Sequence, residues 1–416
     1  MKKVLALLLT AAVLLLGSGA ARPTERAYKI ITATDLHYLA PALTDHGAFF
    51  TVLTENSDGK LMRYTEELTD AFLAEVLAER PDALLLTGDL TFNGALLSHA
   101  ALASRLRALT QAGIPVFVQT GNHDLDNPSA AAFSGDGYRL VPSASAEDFR
   151  RIYADFGFDG ALSTDTASLS YMAALDGGLR VLMLDLNTGH DPCGISEESL
   201  QWVEAELRKA QEAGCPVLAA GHQNLFQHSL FTGGYVITNA ERLSALLRQY
   251  GVPLYLSGHL HLQHRRTEAG LTEIVTGALS VWPCHYGVVR MDTDSLRYEA
   301  RETDVAGRAA AQGREEAELL DFPNYAAAFF DARTARQASE ELALFAYTQE
   351  EIARMTDYLL RLNRCYFSGD LRAAEALDPT GELYALWQRH PSLYSVYLSS
   401  IQGDLGQDYR FWESEG

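Results

Sequence analysis

Cysteine and basic side chains are scarce in this chain of 416 residues. None of the four cysteines has the Cys-x-x-Cys spacing of a thiolate zinc site, and the sequence does not decide between disulfides and free thiols. Lysine and arginine total 33 against 54 acids, so the formal charge is −21. Nucleic-acid binding depends largely on cations that neutralise phosphates. We therefore expect no polymeric nucleic acid as a partner, whereas a small phosphate ester held by metal ions is compatible with this charge.

The apolar run at 4–16 is too short for a comfortable membrane span. It follows Lys2 and Lys3 and precedes a stretch of small residues, which is the order of regions in a secretory signal. We expect 1–21 to be a signal peptide and the protein to be secreted or held at the cell surface. An uncleaved signal that anchors the chain in the membrane is the alternative.

Short apolar runs alternate with amphipathic helical patterns from residue 28 onward. A strand over 83–86 and one over 116–119 flank a helix over 96–111. This rhythm predicts an α/β fold with right-handed crossovers. Two stretches interrupt it: a polar loop up to residue 60, followed by a helix over 61–78, and a long loop with one short helix over 125–165.

The composition shifts at residue 304 to alanine, glutamate, leucine and arginine with helical spacing. We expect a catalytic domain over 22–303 and a helical C-terminal domain over 304–416 that contributes no metal ligands. Six aromatic residues of the second region are predicted to be core: Tyr325, Phe329, Phe330, Tyr358, Trp387 and Tyr394.

Polar side chains with metal-ligand chemistry follow five of the predicted strands. The stretches are Asp35-Leu36-His37, Gly88-Asp89, Gly121-Asn122-His123-Asp124, Gly221-His222 and Gly258-His259-Leu260-His261. Open α/β sheets place their sites at the carboxyl ends of strands. Residues i and i+2 of an extended chain project to the same side, so Asp35 and His37 are expected to share one ion.

Two divalent ions about 3.5–4 Å apart need one shared ligand to act together on phosphorus. Asp89 is the best candidate, because a carboxylate has two oxygens and a preceding glycine lets the backbone come close. We assign one ion to Asp35, His37 and His261, and the other to Asn122, His222 and His259. Ligation by oxygen and imidazole without thiolate suits Mn, Fe or Zn.

His123 and Asp124 are the predicted catalytic residues. Beside two cations, His123 can donate a proton to the departing oxygen or bind a phosphoryl oxygen, and Asp124 can fix its tautomer. Four further residues are candidates for lining the pocket: Asn93, His190, Asn224 and His228.

These ordered blocks resemble the calcineurin-like metallophosphoesterase superfamily. Further stretches are similar to its exported, two-domain, cyclic nucleotide phosphodiesterase-like branch in Gram-positive bacteria, among them Gly189-His190-Asp191 and Thr276-Gly277-Ala278-Leu279. The resemblance implies a four-layer αββα fold, a C-terminal all-helical domain, and a dinuclear site of Mn, Fe or Zn, with Mn or Fe favoured. Gln223 departs from the branch, where a second histidine is frequent.

The function implied is hydrolysis of cyclic nucleotides or other small phosphodiesters by attack of a metal-bridging hydroxide. A phosphomonoesterase or nucleotidase on the same dinuclear site is the first alternative, because related sites also hydrolyse monoesters. A surface binding module with a vestigial site is an alternative of another class.

Overall fold

The computed structural model describes residues 26–188, 193–230, 235–292 and 294–414. The predicted signal peptide at 1–21 and the pocket candidate His190 lie outside these ranges. Within them, no helix combines the length and the hydropathy that crossing a membrane requires.

The strands and helices alternate in the first three hundred residues, and helices dominate afterwards. The strands are β1 (Tyr28–Ala33), β2 (Ala83–Thr87), β3 (Val116–Gln119), β4 (Ala131–Ser134), β5 (Gly137–Leu140), β6 (Ser163–Thr164), β7 (Tyr171–Ala174), β8 (Arg180–Leu184), β9 (Val217–Gly221), β10 (Leu254–Ser257), β11 (His264–Glu268), β12 (Leu271–Val275), β13 (His285–Met291), β14 (Leu296–Glu302) and β15 (Phe411–Glu413). The helices are α1 (Ala48–Glu55), α2 (Thr65–Glu79), α3 (Leu96–Gln111), α4 (Ala146–Ile152), α5 (Glu197–Glu212), α6 (Ala240–Gln249), α7 (Val305–Ala311), α8 (Ala317–Leu320), α9 (Phe322–Leu342), α10 (Gln349–Ser368), α11 (Glu382–Trp387) and α12 (Leu393–Ile401).

The described strands form two large sheets and one hairpin. The first sheet has the order β15-β14-β13-β1-β2-β3, the second has the order β11-β12-β10-β9-β8-β7-β6, and β4 pairs with β5. Strands β1, β2 and β3 run parallel, and so do β8, β9, β10 and β12. The carboxyl ends of neighbouring parallel strands therefore meet at one edge of each sheet.

The alternating side chains of β8 show how the two sheets stack. Val181 and Met183 are buried in the core that the second sheet shares with the first, whereas Leu182 and Leu184 are buried with apolar residues of α5 and α6. Successive side chains of a strand point to opposite faces, so β8 lies between the other sheet and a helical layer. Helices α2 and α3 contribute to the core on the first sheet. The predicted α/β sandwich is confirmed.

The C-terminal region consists of helices α7 to α12 and ends in a strand that the sequence did not predict. Strand β15 pairs antiparallel with β14, with Trp412 opposite Tyr298. The chain therefore returns from the helices to the edge of the first sheet. The domain boundary at residue 303 stays a prediction.

The two interrupting stretches contain more regular structure than expected. The polar stretch before residue 60 includes α1, and the long loop includes the β4–β5 hairpin before α4. These elements support one another, because Phe50 of α1 contacts the ring of Phe133 in β4 at 5.4 Å between centroids. Cys215, Cys284 and Cys365 are free thiols, which answers for these three the question that spacing left open.

Candidate metal centre

Five loops bring the predicted ligands together, each directly after a strand. Asp35 and His37 follow β1, Asp89 follows β2, Asn122 follows β3, His222 follows β9, and His259 and His261 follow β10. Strands β1, β2 and β3 are parallel neighbours, and so are β9 and β10. The strand register therefore carries the side chains of each sheet to one edge of that sheet, and Asp35 and Asp89 of the first sheet meet His222 and His261 of the second.

The backbone at the site is unusual. Asp35, His37, Asp89, His259 and His261 adopt positive φ values of 53°, 44°, 48°, 71° and 60°. Such conformations cost roughly 1–3 kcal/mol each in residues other than glycine and cluster at functional sites. The extended i, i+2 geometry expected for Asp35 and His37 is wrong. Strand β1 ends at Ala33, and left-handed turns aim the two side chains instead.

The first group of ligand atoms is compact. Asp35 Oδ1 and His37 Nε2 each lie 3.3 Å from His261 Nε2, and 3.8 Å from one another. Two ligand atoms at about 2.1 Å from one ion are separated by about 3.0–3.4 Å at octahedral or tetrahedral angles. The structure therefore brings the three side chains predicted for one ion to nearly the spacing that an ion requires.

Asp89 connects this group with the second set. Its Oδ2 lies 3.8 Å from His37 Nε2 and 3.4 Å from His222 Nε2. The rings of His222 and His259 are 5.1 Å apart, and the side chain of Asn122 is exposed. His259 lies outside the three carboxylate–imidazole groups that the described residues form. The ligand roles of Asn122 and His259 stay predictions.

Opposite charges stabilise one another within this buried cluster. Burial is the largest influence on the Asp35 and Asp89 carboxyls and would raise their pKa values, but neighbouring histidines outweigh it and lower both. Burial would likewise lower the pKa of His222, but Asp89 and Asp35 raise it to about 9. The pKa of His259 falls to about 3, first because the ring is buried and then because of His222. The pocket thus combines ionised carboxylates with a neutral imidazole at His259, and binding of a divalent cation at His222 displaces the proton that the carboxylates favour there.

Partners outside the cluster fix which nitrogen each imidazole presents. The Nδ1 of His222 donates to the carbonyl oxygen of Thr87 at 2.9 Å, which leaves Nε2 facing the carboxylates. Such outer partners orient metal-binding histidines. Gly88 makes this approach possible, since it has a φ of +89° and a Cβ on it would lie 2.6 Å from the His222 ring.

Asp124 has a different role from the one predicted. Its carboxylate accepts hydrogen bonds from backbone N–H groups of Leu90, Thr91 and Gly121, at 3.1, 2.9 and 2.8 Å. It therefore ties the loop after β2 to the loop after β3. The Nδ1 of His123 instead donates to the carbonyl oxygen of Phe92 at 2.9 Å, so Phe92 fixes its tautomer. The turn directs the side chains of His123 and Asp124 to different partners. The predicted role of Asp124 is therefore corrected: it positions the two loops.

Three of the pocket-lining candidates also hold the protein together. Buried Asn224 donates to Ser257 Oγ, and Asn93 donates to two backbone carbonyls of the 129–131 segment. His228 is buried with its Nδ1 2.9 Å from His264 Nδ1. Tertiary partners bind some of their polar atoms, while Asn93 Oδ1, Asn224 Oδ1 and His228 Nε2 have no hydrogen-bond partner. Their place in the pocket lining stays a prediction.

Sequence reasoning missed Asp58 and Lys60. Asp58 Oδ2 lies 3.5 Å from His261 Nδ1, opposite the nitrogen that faces the cluster. Lys60 is only 6% exposed, and its ammonium contacts both Asp58 carboxylate oxygens, at 3.0 and 2.8 Å. Both residues fall in the polar stretch expected to be a loop, where no spacing distinguishes them from solvated charges.

Comparison with known proteins identifies the family. A model of the calcineurin-like phosphoesterases matches residues 28–263, more than half of the chain. This chain belongs to the calcineurin-like phosphoesterase family. A model described as the C-terminal domain of cyclic nucleotide phosphodiesterase matches residues 304–408 of the same chain.

The calcineurin-like phosphoesterase chain is also similar to individual proteins. It is 28% identical over 194 residues to a probable cyclic nucleotide phosphodiesterase from Rhodococcus erythropolis, covering 46% of this chain and 55% of the relative. It is 26% identical over 193 residues to a probable glycerophosphodiester phosphodiesterase from Arcobacter nitrofigilis, covering 44% and 58%. The matches thus span just over half the length of these curated relatives. A dimetal phosphatase structure from Danio rerio superposes with a TM-score of 0.47 at 16% identity, covering 66% of this chain and 96% of that one.

The residues of this calcineurin-like phosphoesterase fit the dinuclear metal site that the family implies. Asp35 Oδ1 and His222 Nε2 are buried and have no hydrogen-bond partner. Leaving a buried polar group without a partner costs about 1–3 kcal/mol, and more if the group is charged. Two cations that accept nitrogen and oxygen ligands satisfy both atoms, one ion at Asp35 and the other at His222.

Removal of metal is expected to destabilise the protein. Saturating metal stabilises the folded state by about 3–4 kcal/mol at 100 to 1,000 times Kd. In a large domain this corresponds to about 5 °C or more in Tm. Differential scanning calorimetry of chelator-treated and Mn-reloaded protein measures the difference, and identical transitions in both samples would show that no metal occupies the buried cluster.

Proposed function

We propose that this chain is a metal-dependent phosphodiesterase acting on cyclic nucleotides or other small diesters. The observation that carries the proposal is the convergence of Asp35, His37, Asp89, His222 and His261 on one buried cluster beside the half-exposed His123. The names of the two curated relatives, one for cyclic nucleotides and one for glycerophosphodiesters, support a diester substrate.

The bound ions supply a hydroxide nucleophile near neutral pH and neutralise the charge that develops on phosphorus. The protein supplies placement and a proton. Because His123 Nδ1–H donates a hydrogen bond to the Phe92 carbonyl, Nε2 is the nitrogen left for the leaving oxygen. It donates a proton from the imidazolium form of the ring, which becomes neutral imidazole with its remaining proton on Nδ1. This Nε2 lies 3.9 Å from Asp89 Oδ2, and the His123 side chain is 32% exposed. His123 therefore stands between the cluster and the solvent from which substrate arrives.

We infer further that Mn or Fe occupies the site in the cell and that the protein is exported, with a cleaved signal at 1–21. The acidic balance of the chain supports small substrates over polymeric nucleic acid. Contact with a membrane is expected only through an uncleaved signal. Elemental analysis and the mass of the mature protein test these points, and an intracellular chain that retains residues 1–21 would contradict export.

We expect Mn-loaded protein to hydrolyse bis(p-nitrophenyl) phosphate with a kcat/KM at least about tenfold above that for p-nitrophenyl phosphate. A monoester carries an additional negative charge, and the neighbouring cation Lys60 is already engaged by both oxygens of Asp58. Parallel assays at one pH and one metal concentration measure the ratio. A reversed ratio would favour the phosphomonoesterase alternative.

A further inference from the structure

The helical C-terminal region packs directly on a ligand loop. Leu260 and Leu262, which flank His261, belong to a hydrophobic cluster with Met355, Leu359 and other residues of the C-terminal helices. The backbone N–H of the following residue, Gln263, donates to the carbonyl oxygen of Phe367 in α10 at 3.0 Å. The C-terminal helices therefore have a fixed position relative to the metal centre.

A cavity of about 320 Å³ lies at this junction, and we call it the α9 groove. Its walls come from α9, α10, α12 and Asp58. Phe330, Arg333 and Gln337 of α9 line it, at the spacing of three to four residues that forms one helix face. Its volume lies at the lower end of the roughly 300–1,000 Å³ range of small-molecule sites.

The α9 groove borders the metal centre. Asp58, which lines the groove, has its Oδ2 3.5 Å from Nδ1 of the candidate ligand His261. The other ring nitrogen of His261 faces Asp35 at 3.3 Å. The His261 ring thus lies between Asp58 on the groove wall and Asp35 in the cluster, so the groove and the cluster are direct neighbours.

The groove combines aromatic walls with one unengaged cation. Phe330 and Phe367 contact each other at 4.9 Å between ring centroids, and Tyr394 also lines the cavity. Arg333 is half-buried and has no carboxylate within ion-pair distance among the described residues, although acids exceed bases by 21 in the chain. Its neighbour Arg336 does find an acceptor, the carbonyl oxygen of Glu55. Aromatic faces bind flat rings, and a free guanidinium binds acceptor atoms on a ring edge.

We propose that the α9 groove binds the base of a nucleotide diester and favours guanine. Guanine presents two adjacent acceptors, O6 and N7, that one guanidinium can contact together, whereas adenine presents one acceptor and one donor. Arg333 is then the residue that selects the base, and the aromatic residues are the surface on which the base packs. This inference rests on the proposed function and specifies its substrate class.

The test uses the full Mn-loaded chain and two substrates that need the same metals. We expect Arg333→Ala to lower the ratio of kcat/KM for cyclic GMP to that for bis(p-nitrophenyl) phosphate by about 10-fold or more. Arg336→Ala is the matched control, because Arg336 lies one turn further along α9 and outside the groove; it should keep the wild-type ratio. Wild-type protein should also prefer cyclic GMP to cyclic AMP.

A binding measurement separates the groove from turnover. Titration calorimetry with guanosine 5′-monophosphate should show Kd raised about 10-fold or more in Arg333→Ala and unchanged in Arg336→Ala. If Arg333→Ala does not fold, Arg333→Gln replaces it, because glutamine keeps a polar side chain without the paired donors. Unaltered Kd and unaltered substrate ratio in a folded Arg333 variant would overturn the inference while leaving diester hydrolysis standing. Failure of the wild type to cleave any diester would instead overturn the proposed function, and the calorimetric result would still judge the groove.

Discussion

Replacement of Asp89 by alanine is expected to lower kcat/KM for bis(p-nitrophenyl) phosphate by at least about 1,000-fold. The reason is its position between the two sets of imidazoles, with Oδ2 3.8 Å from His37 Nε2 and 3.4 Å from His222 Nε2. Without this carboxylate, two cations held close together lose the anion that offsets their repulsion. Metal content measured by elemental analysis should fall from two ions per chain to one or fewer.

Asp136→Ala provides the control for this variant. Asp136 also follows a glycine, but it is exposed in the turn between β4 and β5 and far from any ligand loop in sequence. It should keep wild-type activity and metal content. Because the other ligands lie on separate loops, Asp89→Ala should keep a folded circular dichroism spectrum. Turnover near the wild-type rate in the folded variant would remove Asp89 from the centre of the site.

His123→Ala is expected to slow hydrolysis of diesters with poor leaving groups by about 100- to 10,000-fold while both metals remain bound. A proton donor matters most when the departing oxygen is basic. The variant should therefore lose more activity on a diester with an alkyl leaving group than on one that releases p-nitrophenolate. Phe92 holds the ring through Nδ1–H, so the transferred proton is the one that the imidazolium form carries on Nε2. Parallel kcat/KM measurements on an alkyl diester and on bis(p-nitrophenyl) phosphate give the comparison.

His46→Ala is the matched control for His123. His46 is exposed, and its ring meets the Phe50 ring edge-on at 5.4 Å between centroids. Its removal should leave both substrates unaffected. Equal losses on both substrates in His123→Ala would contradict proton donation and favour a role in binding metal or phosphoryl oxygen, since His123 also lies within ligand distance of His37 and Asp89.

Helices and strands could be predicted from the sequence where the periodicity of apolar residues matches the side chains that the fold buries. The strand expected over 116–119 and the helix expected over 96–111 coincide with β3 and α3. Helix α1 could not be predicted, because its N-cap, Gly47, offers no side-chain cap and its stability depends on contacts with the distant β4. The hairpin of β4 and β5 depends on the same contacts. Tertiary packing therefore determines whether α1 and the hairpin form, and such packing leaves no periodic pattern in a short segment.

The candidate ligands could be named from the sequence because they follow strands in a fixed order, but their geometry could not be predicted. Left-handed turns at Asp35 and His37 replace the expected extended backbone, and the sequence has no glycine there to indicate them. Asp124 and Asn224 lie beside candidate ligands in the sequence, but the Asp124 carboxylate accepts from the backbone of Gly121 and the Asn224 amide donates to Ser257. Asp58 is adjacent to His261 only after the chain folds.

The C-terminal helices were predicted as a separate unit without chemistry of its own. The structure places their hydrophobic cluster around Leu260 and Leu262, on both sides of His261. Composition indicates helices but carries no information on what they pack against. The most important consequence of the fold for specificity, a groove beside the metal centre, therefore depends on contacts between residues more than one hundred positions apart.

Anomalous X-ray diffraction at the manganese edge, on crystals of the Mn-loaded full chain, tests the central claim most directly. The account predicts two peaks about 3.5–4 Å apart, with the Asp89 carboxylate in contact with both. One ion should touch Asp35, His37 and His261, and the other should touch His222. A single peak, or two peaks without contact to Asp89, would contradict a dinuclear centre at this site.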